Sequence, residues 1–291
     1  MFAFTEQLKN AEIITAESPL YPNEWKHLSD APKTLYAVGD ISLLNERKFV
    51  VVGSRRTPAS ALKIGTQIAK EISQVFIVTT GTADGGDGAA IEGAILGSGK
   101  VICLLAGGFS AIPQGNLPLL QQVAKKGLLL SPHAYDTPVR AFSYEYRNKL
   151  LAALGEGTLV LGAAEKSGAL ITAKYANGMQ KKVFALPYFP GASAGAGCNG
   201  LLKRGAILTE TAADILEQFG VEIKNEAPMV ALSADEEKML VVLKDMSEGH
   251  LSELSAKAGI PPYKARAVLS ALEVKGLAVS LGGNSFAPVS K

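Results

Sequence analysis

The 291-residue sequence has only two cysteines, three histidines and one tryptophan, and charged residues make up just 19% of it. Cys103 and Cys198 stand far apart, and neither has the short spacing of a metal-ligating pair. This scarcity leaves no metal centre and no disulfide framework to be read, and Cys198 has no neighbouring histidine to make it a nucleophile. Little charge beside 47% apolar residues excludes a disordered chain. No apolar stretch reaches membrane-spanning length without a polar interruption, and Met1–Glu6 lacks the basic-then-apolar order of a secretory leader. The expectation is a soluble, cytoplasmic protein without membrane insertion, cofactor or metal.

A net charge of +2 is too small to name a partner, but its distribution is uneven. Residues 1–45 hold three basic and six acidic side chains, residues 46–220 hold eighteen and twelve, and residues 231–291 hold seven of each. The middle of the chain is therefore +6 and carries whatever attraction for anions there is.

Residues 1–45 read as an initial helix followed by irregular chain, broken at Tyr21-Pro22 and Ala31-Pro32, with Trp25 as a packing anchor for a cap or pre-domain. From Phe49 a strand-then-helix rhythm begins. Apolar strands are expected at Phe49–Val52, Phe76–Thr79, Val101–Leu105, Leu128–Leu130, Thr158–Leu161, Val183–Leu186 and Ala206–Leu208, with helices at 60–72, 88–96, 116–126, 145–154, 169–178 and 211–218. Nearly continuous apolar strands separated by helices imply an α/β fold with a parallel sheet covered on both faces, over residues 46–221. Ligands of such sheets bind beyond the carboxyl ends of the strands, where the glycine-rich turns fall. A polar connector at 222–229 leads to residues 230–291, where three helices and a Gly282-Gly283 hairpin give a winged-helix reading.

Four motifs lie at strand or helix ends. Gly53-Ser54-Arg55-Arg56 follows a buried strand and precedes a helix, so amides, the Ser54 hydroxyl and Arg55 can converge on a phosphate; a plain tight turn and an ion pair are the alternatives. It is neither a dinucleotide fingerprint nor a P-loop. Arg147-Asn148-Lys149 offers a forked donor and a mobile cation, or else solvated helix charges. Ser167-Gly168 opens a helix that Ser167 can cap, and Lys174 within that helix can reach toward the same rim. Asn199, in Gly197-Cys198-Asn199-Gly200, bonds either a ligand or its own loop. Tyr188 and Phe189 can stack on bases or pack on the sheet edge. In Thr80–Asp87 the expected role of Asp87 is a helix cap, and Asp84 repels a phosphate chain. Lys264 and Arg266 are the only basic residues on the expected recognition helix, which makes strong duplex binding by residues 230–291 doubtful.

In this order the motifs resemble the DNA-processing protein A (DprA/Smf) family across roughly residues 19–291. Gly53-Ser54-Arg55 is similar to its Gly-Ser-Arg turn, Arg147-Asn148-Lys149 to its Arg-Asn-Arg run, and Ser167–Ala173 to its Ser-Gly-Ser-Leu-Ile-Thr-Ala motif. Gly197-Cys198-Asn199 with Leu201-Leu202 and Gly205-Ala206 is similar to its Gly-Thr-Asn, Leu-Ile, Gly-Ala run. The resemblance implies an extended Rossmann-like domain that binds single-stranded DNA, assists loading of a RecA-type recombinase during DNA uptake or recombination, and forms homodimers, with no catalytic residue. The chain departs from the pattern where Asp84 replaces an arginine, Ile91 a histidine and Gly162 an acidic residue, which marks a divergent member. The competing readings are a nucleotide-binding or nucleotide-processing enzyme and a winged-helix regulator on duplex DNA.

Overall fold

The computed structural model describes residues 2–221 and 232–289 and divides the chain into two compact units, Met1–Ile223 and Lys224–Lys291. The connector at 222–229 lies outside the described residues.

The first unit runs α1 (Phe2–Lys9), β1 (Glu12–Thr15), β2 (Thr34–Gly39), β3 (Lys48–Val52), α2 (Ala59–Ile72), β4 (Ile77–Thr80), α3 (Gly86–Leu96), β5 (Val101–Leu104), α4 (Leu117–Lys126), β6 (Leu128–Ser131), α5 (Ala141–Leu154), β7 (Gly157–Val160), α6 (Ala169–Gly178), β8 (Lys182–Ala185), α7 (Ala196–Lys203), β9 (Ile207–Leu208) and α8 (Ala213–Leu216). Its nine strands form one sheet in the order β1-β2-β6-β5-β4-β3-β7-β8-β9. From β6 to β9 all pairs are parallel, whereas β1 and β2 add antiparallel strands at one edge. Residues 1–45, read from sequence as partly irregular, thus contribute two strands to the main sheet.

Strand β3 shows how the sequence builds this sheet. Phe49 and Val51 enter the core beneath α2 and α3, and Val50 and Val52 enter the core beneath α5 and α6, so the apolar run feeds both faces through the twofold alternation of a strand. Trp25 is fully buried and donates its Nε1–H to the carbonyl oxygen of Leu150 at 2.8 Å, which pins the middle of α5. Chain order makes β3 the point from which the sheet grows both ways, through β4, β5 and β6 on one side and β7, β8 and β9 on the other. The carboxyl ends of β3, β4 and β7 meet there, and α5 crosses between the two halves.

The second unit contains α9 (Ala234–Met246), β10 (Gly249–His250), α10 (Leu251–Ala258), α11 (Pro262–Val274), β11 (Ala278–Gly282) and β12 (Ser285–Pro288). Its strands form an antiparallel sheet in the order β10-β12-β11, and Met239, Leu243, Leu254, Leu269 and Leu272 make its core. His250, expected in a turn, caps α10, its Nδ1 accepting from the Ser252 amide at 3.3 Å.

Candidate nucleic-acid interface

A pocket of about 490 Å³ opens at the point where β3, β4 and β7 end. Gly53–Arg56 after β3, Ala83 and Asp87 beyond β4, Ala164 and Lys166–Ala169 beyond β7, and Tyr144, Arg147 and Asn148 of α5 line it. The turn after β3 is seated against the start of α3 by a glycine pair: a Cβ on either Gly53 or Gly86 would strike the backbone of the other. The structure therefore gathers Gly53, Ser54, Arg55, Arg147, Asn148, Ser167 and Gly168 from three distant stretches of sequence into one wall.

The donors in this wall differ from those expected. Gly53 gives its amide to the Asp87 carboxylate, Ser54 N donates to Gly162 O at 2.8 Å, Arg56 N to Ser54 Oγ at 3.1 Å, and Thr57 N to Ser54 O at 3.2 Å. Most amides of the turn are thus spent internally, and the Ser54 hydroxyl and the Arg55 and Arg56 side chains remain as donors. Both are exposed and, like Lys166, have no ion-pair partner among the described residues. Asp87 is not a helix cap. It is buried in the first turn of α3, accepts from Ala83 N at 3.2 Å and so fastens the loop after β4 to the turn after β3.

Arg147 is buried at the back of the pocket. Its Nε donates to Asn148 Oδ1 at 3.0 Å and its Nη1 to Leu104 O at 3.1 Å, and Asn148 Nδ2 donates to Gly168 O at 3.1 Å, which fixes the start of α6. Gly81 gives the arginine its space, since a Cβ there would collide with both Arg147 Nη1 and Asp87 Oδ2. Burial pulls the Arg147 guanidinium down from its ordinary range and pushes the Asp87 carboxyl up, and the attraction between the two opposes both shifts. Ser167 Oγ accepts from Ala169 N at 3.4 Å, a weak cap on α6.

Three of the expected site residues lie elsewhere. Lys149 Nζ pairs with Asp30 Oδ1 at 2.5 Å, because successive helical residues face different directions and only Arg147 and Asn148 turn inward. Lys174 lines a different cavity, beside α7. Asn199 accepts from Tyr188 N at 3.0 Å and donates to Tyr188 O at 2.9 Å, so its amide holds the loop. Tyr188 donates its hydroxyl to Leu161 O at 2.6 Å, and that hydroxyl occupies the space a side chain at Gly162 would need.

Tyr144, Arg56 and Lys166 were missed. The Tyr144 ring is 41% exposed at the mouth of the pocket. The spacing Tyr144, Arg147, Asn148 is i, i+3, i+4, which places all three on one helical face and is the signal that reveals it. Among the described residues no group of histidine, cysteine, aspartate and glutamate is arranged to hold a metal ion, and no helix is long and apolar enough to cross a membrane.

Residues 12–220 match the family described as DNA recombination-mediator protein A. The chain belongs to this family. The DNA processing protein DprA of Bacillus subtilis strain 168 is 35% identical over 220 residues, covering 75% of this chain and 73% of that protein. Protein Smf of Escherichia coli K12 is 33% identical over 224 residues, covering 75% of this chain and 60% of Smf. Among solved structures, DprA of Streptococcus pneumoniae has a TM-score of 0.69 at 27% identity, over 75% of this chain and 77% of that one. DprA of Helicobacter pylori, described for its single-stranded DNA binding mode, has a TM-score of 0.65 at 29% identity, over 72% and 97% of the two chains. The family match ends at residue 220, ahead of the second unit.

Proposed function

We propose that this chain is a non-enzymatic single-stranded DNA-binding protein that serves recombination or DNA uptake. The observation that carries this reading is the pocket where β3, β4 and β7 end: free cations at its mouth, on Arg55, Arg56 and Lys166, surround the exposed face of Tyr144. Cations that track a phosphate chain, beside an aromatic face on which an unpaired base stacks, are the two parts of single-strand recognition. The binding mode described for the H. pylori relative supports the same ligand. Among the described residues the only carboxylate lining the pocket, on Asp87, is held by two backbone amides and faces Arg147, which argues against acid–base work and against a nucleotide-processing enzyme.

In the cell the chain acts in the cytoplasm as a homodimer that helps a RecA-type recombinase onto the strand. Residues 232–289 form a winged helix whose work is contact with protein. Its recognition helix α11 has its cations engaged, Lys264 with Asp235 Oδ2 at 2.5 Å and Arg266 with Asn284 Oδ1 at 2.8 Å, which disfavours duplex binding.

The test is fluorescence anisotropy with a labelled oligothymidylate and a matched duplex, at low and physiological salt. The proposal expects preference for the single strand and affinity that falls steeply with salt. Equal binding of both, or binding indifferent to salt, overturns it.

A further inference from the structure

Lys174 sits on α6, but at about 100° per residue the face carrying Leu170, Ala173, Lys174 and Asn177 points away from the face carrying Ala169 and Thr172. The first pocket takes Ala169 and Thr172; the other face lines a separate cavity of about 480 Å³, closed by α7 and the start of β8. Among the described residues four cationic side chains line this second cavity, Lys174, Lys181, Lys182 and Arg204, and no carboxylate does.

The fold leaves their charge uncancelled. Lys181 Nζ donates to Gly155 O at 2.7 Å and also to Ala153 O, and Lys182 Nζ donates to Gln218 O and lies 5.3 Å from the Phe219 ring centroid. Glu24 and Glu156 act on Lys181 through space but do not line the cavity. Lys174 and Arg204 are exposed and have no side-chain partner among the described residues. The nearby amides are committed: Arg204 N and Ala206 N donate to Leu201 O at 2.9 and 3.0 Å, and Gly205 N to Leu202 O at 3.1 Å. Recognition here is by side-chain charge. Lys181 and Lys182 are committed to carbonyl oxygens and to the Phe219 face, so a bound polyanion gains chiefly the attraction of Lys174 and Arg204.

We infer that this cavity is a second phosphate site, which takes the backbone of a strand that has left the first pocket and passed over the exposed side of α6. The inference rests on the single-strand reading. It makes the footprint longer than the first pocket and assigns Lys174 and Arg204 to the far end of the path.

The experiment compares oligothymidylates of ~5 and ~20 nucleotides, titrated across salt concentrations. The proteins are the wild type, the double variant Lys174→Gln/Arg204→Gln, and Arg55→Ala, with circular dichroism on each sample. In the double variant the long strand binds about tenfold more weakly, and the dependence of log K on log salt becomes shallower by about 1.4, about 0.7 for each phosphate that the variant no longer neutralises. The short strand is unaffected by the double variant and is weakened by Arg55→Ala. Wild-type affinity and slope on the long strand in the double variant overturn the second site, while a loss in Arg55→Ala still upholds the first. If the wild type binds neither strand, calorimetry with inorganic pyrophosphate decides: heat that the double variant lacks keeps a phosphate site and assigns it to free phosphates, and no heat overturns it.

Discussion

Arg147 and Arg55 are both arginines of the same pocket, yet their surroundings give them different work. Arg147 is buried, binds Leu104 O and Asn148, and faces the buried Asp87 carboxyl. Arg147→Ala leaves that carboxyl without its cation and lowers stability by about 3 kcal/mol or more. Asp87 is already raised above the ordinary carboxylate value of 3.8 by burial, and loss of Arg147 raises it further. A raised acid supports the fold below its ordinary pKa and loses that support as pH rises through its folded value. The Arg147→Ala deficit is therefore smallest near pH 4 and grows toward pH 7, as thermal melts at about these two pH values will show. Arg55 is exposed and unpaired, so Arg55→Ala keeps the melting temperature and weakens single-strand binding about tenfold, measured by anisotropy. The motifs around Gly53 and Ser167 were legible in sequence because each sits at a strand or helix end, whereas Arg147, expected near the start of a helix at 145–154, stands in the middle of α5. The destinations of Lys149, Lys174 and Asn199 were not, since one helical step or one loop bond turned each away.

At the scale of elements, the strands from β3 to β8 were legible because a sheet buried on both faces demands unbroken apolar runs. β1 and β2 were not: β1 is a four-residue edge strand in which only Ile14 is buried, so its run carries no core signal. Helix α7 was not among the expected helices because Gly197 and Gly200 lower helix propensity, and tertiary packing of Cys198 against the sheet overrides that preference. In the second unit, Ser233 and Glu236 form a reciprocal cap at the start of α9, with Ser233 N donating to Glu236 Oε2 at 2.6 Å. Lys275 and then Ser233 hold the Glu236 carboxyl at about 2, below its ordinary 4.5. A lowered acid supports the fold above its ordinary value, and that support is lost as pH falls through the folded value. Corrected for the intrinsic pH dependence of exchange, protection of the α9 amides will therefore fall between pH 4.5 and about 2 in the wild type, and Glu236→Gln will remove that fall while lowering protection at neutral pH.

For the whole molecule, the excess of positive charge lies in residues 46–220, and residues 231–291 are balanced. Charge of this size attracts a polyanion at long range but does not place it. Placement comes from topology, which brings three strand ends and one crossing helix to a single opening. In the proposed complex a single strand lies in this opening with a base against Tyr144. Photo-crosslinking with an oligonucleotide carrying iodouracil, followed by peptide mapping, tests this directly. The expected result is a crosslink at Tyr144 that disappears in Tyr144→Ala, and a bound strand that protects Lys166 from acylation. Crosslinks confined to residues 232–289, with Lys166 fully reactive in the complex, would contradict it.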